Sequence, residues 1–391
     1  MCRILTIILS LTLISIPPVF ADSFWDRFKD PSDGKVDFSG WSKDEEKTTG
    51  GFLPVPIFVS EPALGGFGLG VALLYMREKG PYEDPKTPSG KEGKQRPPSI
   101  IGVGGAYTVN DSWAVAGGYQ NNWINDSLRY SGGLGYTSLN LDFYGIGQRQ
   151  RPRLINLDES SIEFNIEGFI TLHDLRYRLL NTNFFIGTRY AFLSSETTFS
   201  LGPTELIPPF QRESNDGALG ATFMYDTRDN TFTPTRGSKV DLSGMFHSPS
   251  FGGDFNYERY QAAGLTWIGV HPDVTLGLRL DARWVDGRAP FYAIPFIDLR
   301  GIPALRYQDK LVLMGEVEAR WQAFQRWSIL GFVGSGRAAE ALDELGSAEG
   351  RHTFGTGFRY LVARKFGLHS GVDIARGPED TYVYIQVGSA W

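Results

Sequence analysis

Apolar and polar residues alternate with period two through much of the chain, which predicts β-strands with two different faces. In residues 309–322 the large apolar side chains fall on one face, whereas Glu316 and Glu318 fall on the other. Residues 273–285 repeat this arrangement, and a shorter run at 161–170 agrees with it. Alternation alone fits a soluble sandwich as well as a membrane barrel, so it does not decide between them.

The number of predicted strands favours a closed barrel. The pattern predicts sixteen strands, an even number, as in bacterial single-chain membrane barrels. The fifth strand depends on a turn at Thr137–Asn140. The expected fold class is therefore all-β, a single 16-stranded antiparallel transmembrane β-barrel. The predicted strands span residues 66–77, 99–108, 112–122, 126–136, 140–147, 160–177, 182–195, 216–226, 237–246, 257–270, 273–285, 309–322, 326–336, 351–362, 366–375 and 381–391.

The lengths of the connections support the same fold. Most connections after even-numbered predicted strands are only a few residues long, such as 109–111 and 271–273. Long loops on one side and tight turns on the other are typical of outer-membrane barrels. The long connections, which follow odd-numbered predicted strands, include 78–98, 148–159, 196–215, 286–308 and 337–350.

The N-terminus predicts a cleaved signal peptide over residues 1–21. Arg3 precedes the apolar run Ile4–Ile16, and Ala21 provides a small residue at the cleavage site. This run is shorter than the ~20 residues that a membrane-spanning helix needs. The only cysteine, Cys2, lies in this segment, so the mature chain is expected to have no disulfide, thiol nucleophile or cysteine metal site.

The remainder divides into two parts. Residues 22–51 are polar and predict a short periplasmic tail, and residues 52–391 are expected to form the barrel. The 47 glycines and the 14% aromatic content also favour β structure. Lys and Arg number 38 against 44 for Asp and Glu, without a block of basic residues, so a nucleic-acid binder is excluded.

Candidate catalytic groups are scattered. The five histidines show no spacing typical of a metal site. His369 and Ser370 alternate to opposite faces of one predicted strand, so they cannot act on each other. We therefore expect no catalytic residues, no metal and no cofactor, and the chain is not expected to be an enzyme.

Two motifs resemble a known family. The first is a turn in which Asp and Asn can bond their own backbone, Pro fixes φ and Gly permits positive φ. The second, Leu299-Arg300-Gly301-Ile302, lies in the long connection before the twelfth predicted strand, and five strands follow it. Both strings resemble motifs of the bacterial surface antigen superfamily of outer-membrane barrels, the BamA/TamA-like family. The turn residues that carry the resemblance are Asp226, Arg228, Asp229, Asn230, Pro234 and Gly237.

In that family the loop motif folds back into the lumen, where its arginine meets acidic residues of the inner wall. The resemblance therefore implies that Arg300 lies in the lumen. Its expected partners are Glu318 and then Glu316, with Glu163 or Glu167 as further wall carboxylates. The competing interpretation is that these charges line a hydrated wall while Arg300 stays in an exposed loop.

The thirteenth predicted strand departs from the family pattern, whereas the last strand agrees with it. The family has an aspartate where this chain has Gly334, which is a departure from the loop-anchoring pattern. The last strand is similar to the family's C-terminal assembly signal, with Trp391 expected in the aromatic girdle of the barrel. The residues of this signal are Ile385, Val387, Gly388 and Trp391.

The resemblance implies a bacterial outer-membrane protein that acts in membrane biogenesis or in the insertion or translocation of protein or lipid. Full family members carry periplasmic POTRA domains, which residues 22–51 are too short to hold. The implied partners are outer-membrane lipids, the barrel-assembly machinery and a separate periplasmic protein that replaces those domains. A passive pore is the alternative, since sixteen strands can enclose a channel. A membrane-embedded lipid-modifying enzyme is a remote alternative.

Overall fold

The computed structural model describes residues 29–30, 32–37, 50–77, 97–145, 162–180, 182–200, 210–364 and 367–391. The predicted signal peptide, residues 1–21, lies outside the described residues. No helix in the described part of the chain is long and apolar enough to cross a membrane.

Sixteen antiparallel strands form one sheet in which each strand pairs with the next in sequence, so the expected barrel fold is confirmed. Single 3-10 turns at Pro62–Leu64, Pro249–Phe251 and Phe291–Ala293 lie in the connections. The strands are β1 (Gly50–Val59), β2 (Gly68–Arg77), β3 (Ser99–Thr108), β4 (Trp113–Trp123), β5 (Leu128–Phe143), β6 (Ile162–Arg178), β7 (Phe184–Ser200), β8 (Phe210–Asp226), β9 (Gly237–His247), β10 (Tyr257–His271), β11 (Val274–Gly287), β12 (Leu311–Gln322), β13 (Trp327–Ala339), β14 (Arg351–Ala363), β15 (Leu368–Arg376) and β16 (Thr381–Val387).

The predicted number of strands is correct, but two errors cancel within it. The first strand, β1, was not predicted, and it contains Pro54 and Pro56, residues that disfavour a strand interior. Prolines are tolerated here because β1 is an edge strand that forms a ladder only with β2. The predicted fourth and fifth strands are one strand, β5, which pairs with β6 without a break from Leu128 to Phe143.

The extra first strand changes the position of one long connection. We call the end of the barrel that carries residues 288–310 the loop end, and the opposite end, which carries 272–273, the turn end. Strand order places the end of β2 and the start of β3, the two strands that flank connection 78–98, at the turn end. The prediction that it shares a side with the loop before β12 is therefore wrong.

The predicted faces of β12 are confirmed. Leu313, Val317 and Trp321 are exposed on the outside, where a membrane barrel meets lipid, while Glu316 and Glu318 are buried inside.

The alternation predicted for residues 161–170 of β6 is present, but the expectation that Glu163 or Glu167 lies on the lumen wall is wrong. Phe164 and Ile166 point inward and pack against Leu305, whereas Glu167 faces outward and accepts a hydrogen bond from Tyr136 at 2.9 Å. Glu163 shares the outward face, so neither glutamate lies on the lumen wall.

The seam between the first and last strands is weak. The described residues of β1 and β16 form no ladder. The Ile385 backbone N–H donates to Ser60 Oγ at 3.0 Å across this gap. The barrel is therefore nearly closed, with one lateral boundary that lacks the backbone pairing of the other strand boundaries.

Candidate functional site: a loop anchored inside the lumen

The connection 288–310 folds into the barrel because its apolar residues find a buried surface there. Ile297, Leu299 and Ile302 pack against Val312 and Met314 on the inner face of β12. Burying each large aliphatic side chain contributes roughly 1.5–3 kcal/mol. This cluster fixes the loop in the lumen and determines where the neighbouring Arg300 can reach.

Arg300 contacts three carboxylates on two parts of the inner wall. Its Nη2 lies 2.5 Å from Glu316 Oε1 and 2.8 Å from Glu318 Oε2. Its Nη1 lies 2.7 Å from Asp373 Oδ2 on β15. The guanidinium also stacks on the Phe332 ring, with its carbon 3.5 Å from the ring centroid. Arg300 therefore joins β12, β13 and β15 through one side chain.

Both glutamates expected beside Arg300 contact it, but Glu316, which was expected second, makes the stronger contact. Glu316 is the more buried and is bonded by two Arg300 nitrogens, whereas Glu318 is bonded by one. Burial opposes the Arg300 charge, but Glu316, Glu318 and Asp373 outweigh it and raise the pKa of Arg300 above its ordinary value. The guanidinium therefore stays charged.

Sequence reasoning missed Asp373 and its second partner. Asp373 is fully buried and also binds the Arg359 guanidinium at 2.5 and 2.8 Å. A side chain at position 334 would have its Cβ 2.8 Å from Thr353 Oγ1 and 3.3 Å from Leu299. An aspartate at that position would press on the side chains of Thr353 and Leu299, and in this chain the third carboxylate comes from β15.

Further bonds clamp the loop to the rim. The Gly301 N–H donates to the Tyr384 hydroxyl at 2.9 Å, and the Ala304 N–H donates to Glu61 Oε1 at 2.9 Å. Burial raises the pKa of Glu61. These contacts tie the loop to β16 and to the β1–β2 connection, on both sides of the seam.

A second rim clamp joins the loop to the β15–β16 turn. Arg306 Nη2 donates to Glu379 Oε1 at 2.6 Å, and the Tyr307 hydroxyl donates to the same oxygen at 2.6 Å. Burial acts to raise the pKa of Glu379, but these two partners outweigh it and hold this pKa below its ordinary value. Glu379 therefore stays charged at neutral pH.

The last residues do not continue the final strand as expected. Gly388 has φ 88°, which turns the chain away from β16 into the lumen. There Trp391 packs on Trp267 with ring centroids 5.5 Å apart, and its indole N–H donates to Glu316. The expectation that Trp391 shares the outer face of Ile385 and Val387 is wrong, because the outward face of β16 ends at Val387.

The turn motif lies in the β8–β9 connection at the turn end. The Asp229 carboxylate accepts from the backbone of Asn230 and Thr235, and Asn230 Oδ1 accepts from the backbone of Phe232 and Thr233. Asp226 binds Arg228 and Arg129, and Pro234 is fully buried. Arg320 on the inner wall donates to the Pro234 carbonyl at 3.0 Å. Gly237 begins β9 with φ 99°.

This turn also meets the chain end in the lumen. The Ser389 N–H donates to the Phe232 carbonyl at 2.7 Å. The motif therefore supports the residues that lead to Trp391, and through Trp391 it connects to the Arg300 site.

Comparison with known proteins gives a family match to one part of the barrel. Residues 210–293, which include the whole turn motif, match the Omp85 superfamily domain. The segment from β8 into the connection before β12 is therefore similar to the Omp85 superfamily domain. The family resemblance inferred from its motifs is thus confirmed.

Solved structures share the fold at low sequence identity. BamA from Haemophilus ducreyi lacking POTRA domains 1–3 matches with a TM-score of 0.54 and 12% identity, over 88% of this chain and 71% of that one. CdiB from Escherichia coli matches with a TM-score of 0.54 and 9% identity, over 88% and 63%. CdiB from Acinetobacter baumannii matches with a TM-score of 0.51 and 8% identity, over 87% and 60%. The chain therefore spans less than two thirds of either CdiB chain. No curated protein sequence matches it.

Proposed function

We propose that this Omp85-type barrel inserts or translocates protein or lipid at the outer membrane, with the loop 288–310 as a plug held by Arg300. The observation that carries the proposal is the buried cluster of Arg300 with Glu316, Glu318 and Asp373. A loop anchored to three carboxylates blocks free diffusion through the lumen. The weak β1–β16 seam offers a lateral route into the membrane that needs few broken hydrogen bonds.

A passive pore is the second candidate, because a sixteen-stranded barrel is wide enough for a channel. The anchored loop argues against it. Purified protein in planar bilayers should conduct poorly, whereas a pore would show large, steady conductance in the wild type.

We also propose that the protein transports rather than catalyses. The polar cluster is composed of ion pairs whose members satisfy one another, and no nucleophile and base are paired within it. In the described residues, no group of three or more His, Asp or Glu side chains is placed to hold a metal.

The proposed partners follow from this role. They are outer-membrane lipids, the assembly machinery that inserts the barrel itself, and a separate periplasmic protein that delivers substrate. The turn end is a suitable docking place for that protein, since residues 32–37 already dock there through Asp33 and Asp37, which bind the buried Arg326.

The test compares a gene deletion with its parent. We expect altered protein or lipid composition of the outer membrane, restored by the wild-type gene but not by Arg300→Ala. Lys310→Gln, which removes an exposed cation at the end of the same loop, is the matched control and should complement fully. A change in small-solute uptake alone would favour the pore.

A further inference from the structure

The inner wall formed by β1 to β5 is unlike the rest of the lumen. Membrane barrels alternate apolar residues outward with polar residues inward. Here the inward positions of β2, β3, β4 and β5 are mostly small and apolar. These inward residues include Gly70, Ala72, Leu74, Ile100, Gly102, Gly104, Ala106, Ala114, Ala116, Gly118, Gly133 and Gly135.

This wall borders an apolar hollow of 690 Å³ inside the barrel. Ile57 on β1 lines one side of it, and Ile170 and Leu172 on β6 line the other. The two β6 side chains each leave 47% of their surface exposed to the lumen. The volume lies within the roughly 300–1,000 Å³ typical of ligand sites.

Close strand packing explains the glycines but not the larger residues. A Cβ on Gly104 would lie 2.8 Å from the Val71 carbonyl, so the sheet can curve tightly only without side chains there. Curvature does not require exposed isoleucine and leucine on the concave side. The described residues leave the apolar surface of those side chains without a cover, in a compartment that should be hydrated.

A cationic pocket of 560 Å³ adjoins the hollow at the turn end, and both are lined by Gln120, Ser131 and Leu172. Five cations and three carboxylates line this pocket. The arginines among them are Arg129, Arg176, Arg189 and Arg228, and they pair with Asp174, Asp226 and Asp241.

Lys239 is the one cation of this pocket that pairs with no carboxylate of the described residues. Lys239 lies on the inner face of β9, is half-buried, and lines the pocket with Asp226 and Asp241, yet no hydrogen bond or ion pair joins it to the described residues. An ammonium that lines a pocket and makes no hydrogen bond there can gain one by binding an anion. The pocket is therefore suited to an anionic group.

We propose that the lumen holds an anionic phospholipid, with its phosphate against Lys239 and an acyl chain in the hollow along β2 to β5. The contiguity of a cationic pocket and an apolar hollow matches the two ends of such a lipid. A polypeptide strand fits less well, because the backbone groups of β2 to β5 already pair with one another and leave no donors for it. The inference is independent of which substrate the barrel moves.

The test is photo-crosslinking of the full-length wild-type protein in mixed micelles. Phosphatidylglycerol with a photoactivatable acyl chain should label the inward residues Leu74 and Ile100. Their neighbours Leu73 and Ile101 point outward and are exposed. Labelling at these two residues therefore measures contact with the lipid around the barrel in the same sample. The matching phosphatidylcholine probe should label only the outward pair.

Variants of Lys239 test the headgroup contact. Lys239→Gln should reduce inward labelling about tenfold, because it removes a charged bond to the phosphate, and leave outward labelling unchanged. Lys239→Arg should restore it. Lys310→Gln is the matched control, and heat-modifiable electrophoresis confirms that each variant is folded.

Several outcomes would overturn the proposal. These are absent inward labelling, equal inward labelling by both lipids, and inward labelling that Lys239→Gln does not change. Inorganic phosphate that stabilises the wild type but not Lys239→Gln, without inward labelling by lipid, would assign the pocket to free phosphate instead. Labelling that appears only after residues 38–49 are deleted would identify that segment as the occupant.

Discussion

Among single residues, Asp373 has the most demanding role, because it binds two guanidinium groups while fully buried. Removing one partner of a buried ion pair leaves the other charge uncompensated, which costs about 3–5 kcal/mol. We therefore predict that Asp373→Asn destabilises the barrel by that order, since Arg300 and Arg359 both lose their shared carboxylate. Urea unfolding in detergent, followed by heat-modifiable electrophoresis, measures the change.

Glu340→Gln is the matched control for this prediction. Glu340 pairs with Lys310 at 3.1 Å, and both side chains are exposed. Such surface pairs contribute about 0–1 kcal/mol. An effect of Asp373→Asn as small as that of Glu340→Gln would contradict the assigned role.

The sequence allowed part of this cluster to be foreseen. Alternation put Glu316 and Glu318 on one face of β12, and the family motif pointed Arg300 toward them. Asp373 lies 73 residues from Arg300. Asp373 comes close to Arg300 only because β12 to β15 curve around the lumen, and the local sequence does not indicate that curvature. The inward fold at Gly388 was missed for a similar reason, since Trp391 also suits an outward girdle.

At the scale of elements, the β8–β9 turn depends on Gly237. Its φ is 99°, and a Cβ there would lie 2.4 Å from the Thr227 carbonyl. A non-glycine residue in such a strained conformation costs on the order of 1–3 kcal/mol. We predict that Gly237→Ala lowers barrel stability and the yield of assembled barrel in membranes. Gly346→Ala, at a loop glycine with open space around it, should leave both unchanged.

Strand assignment failed where local signals and pairing disagree. Residues 137–140 contain Ser and Asn, which favour turns, yet β5 continues through them because β6 provides a ladder partner along its whole length. In β1 the prolines disfavour a strand interior, although an edge strand tolerates them. Strands from β6 onward were located well, because their alternation was not contradicted by turn residues.

For the whole molecule, closure of the lumen should depend on pH through Glu379. Its folded-state pKa is depressed, so its contribution is present above the ordinary carboxyl pKa of about 4.3 and is lost as pH falls through the lower folded value. We predict that acidification below about pH 4 weakens the clamp to Arg306 and raises single-channel conductance. Glu379→Gln should raise conductance at neutral pH and abolish the further rise on acidification. If conductance of this variant still rises below about pH 4, Glu379 is not the group that causes the rise.

The loop and the barrel wall should be energetically coupled through Arg300. If Arg300 closes the lumen by binding Glu318, Arg300→Ala and Glu318→Ala remove the same contact, so their effects on unfolding free energy should be non-additive by about 0.5–3 kcal/mol. Each variant should also raise conductance, because the loop loses an anchor while the Ile297 and Leu299 cluster still holds part of it. Combining Arg300→Ala with Glu340→Gln should give additive effects, because the Glu340 carboxylate binds Lys310 and not Arg300. Additivity in the Arg300–Glu318 cycle, with unchanged conductance, would mean that the ion pair stabilises the wall without controlling the passage.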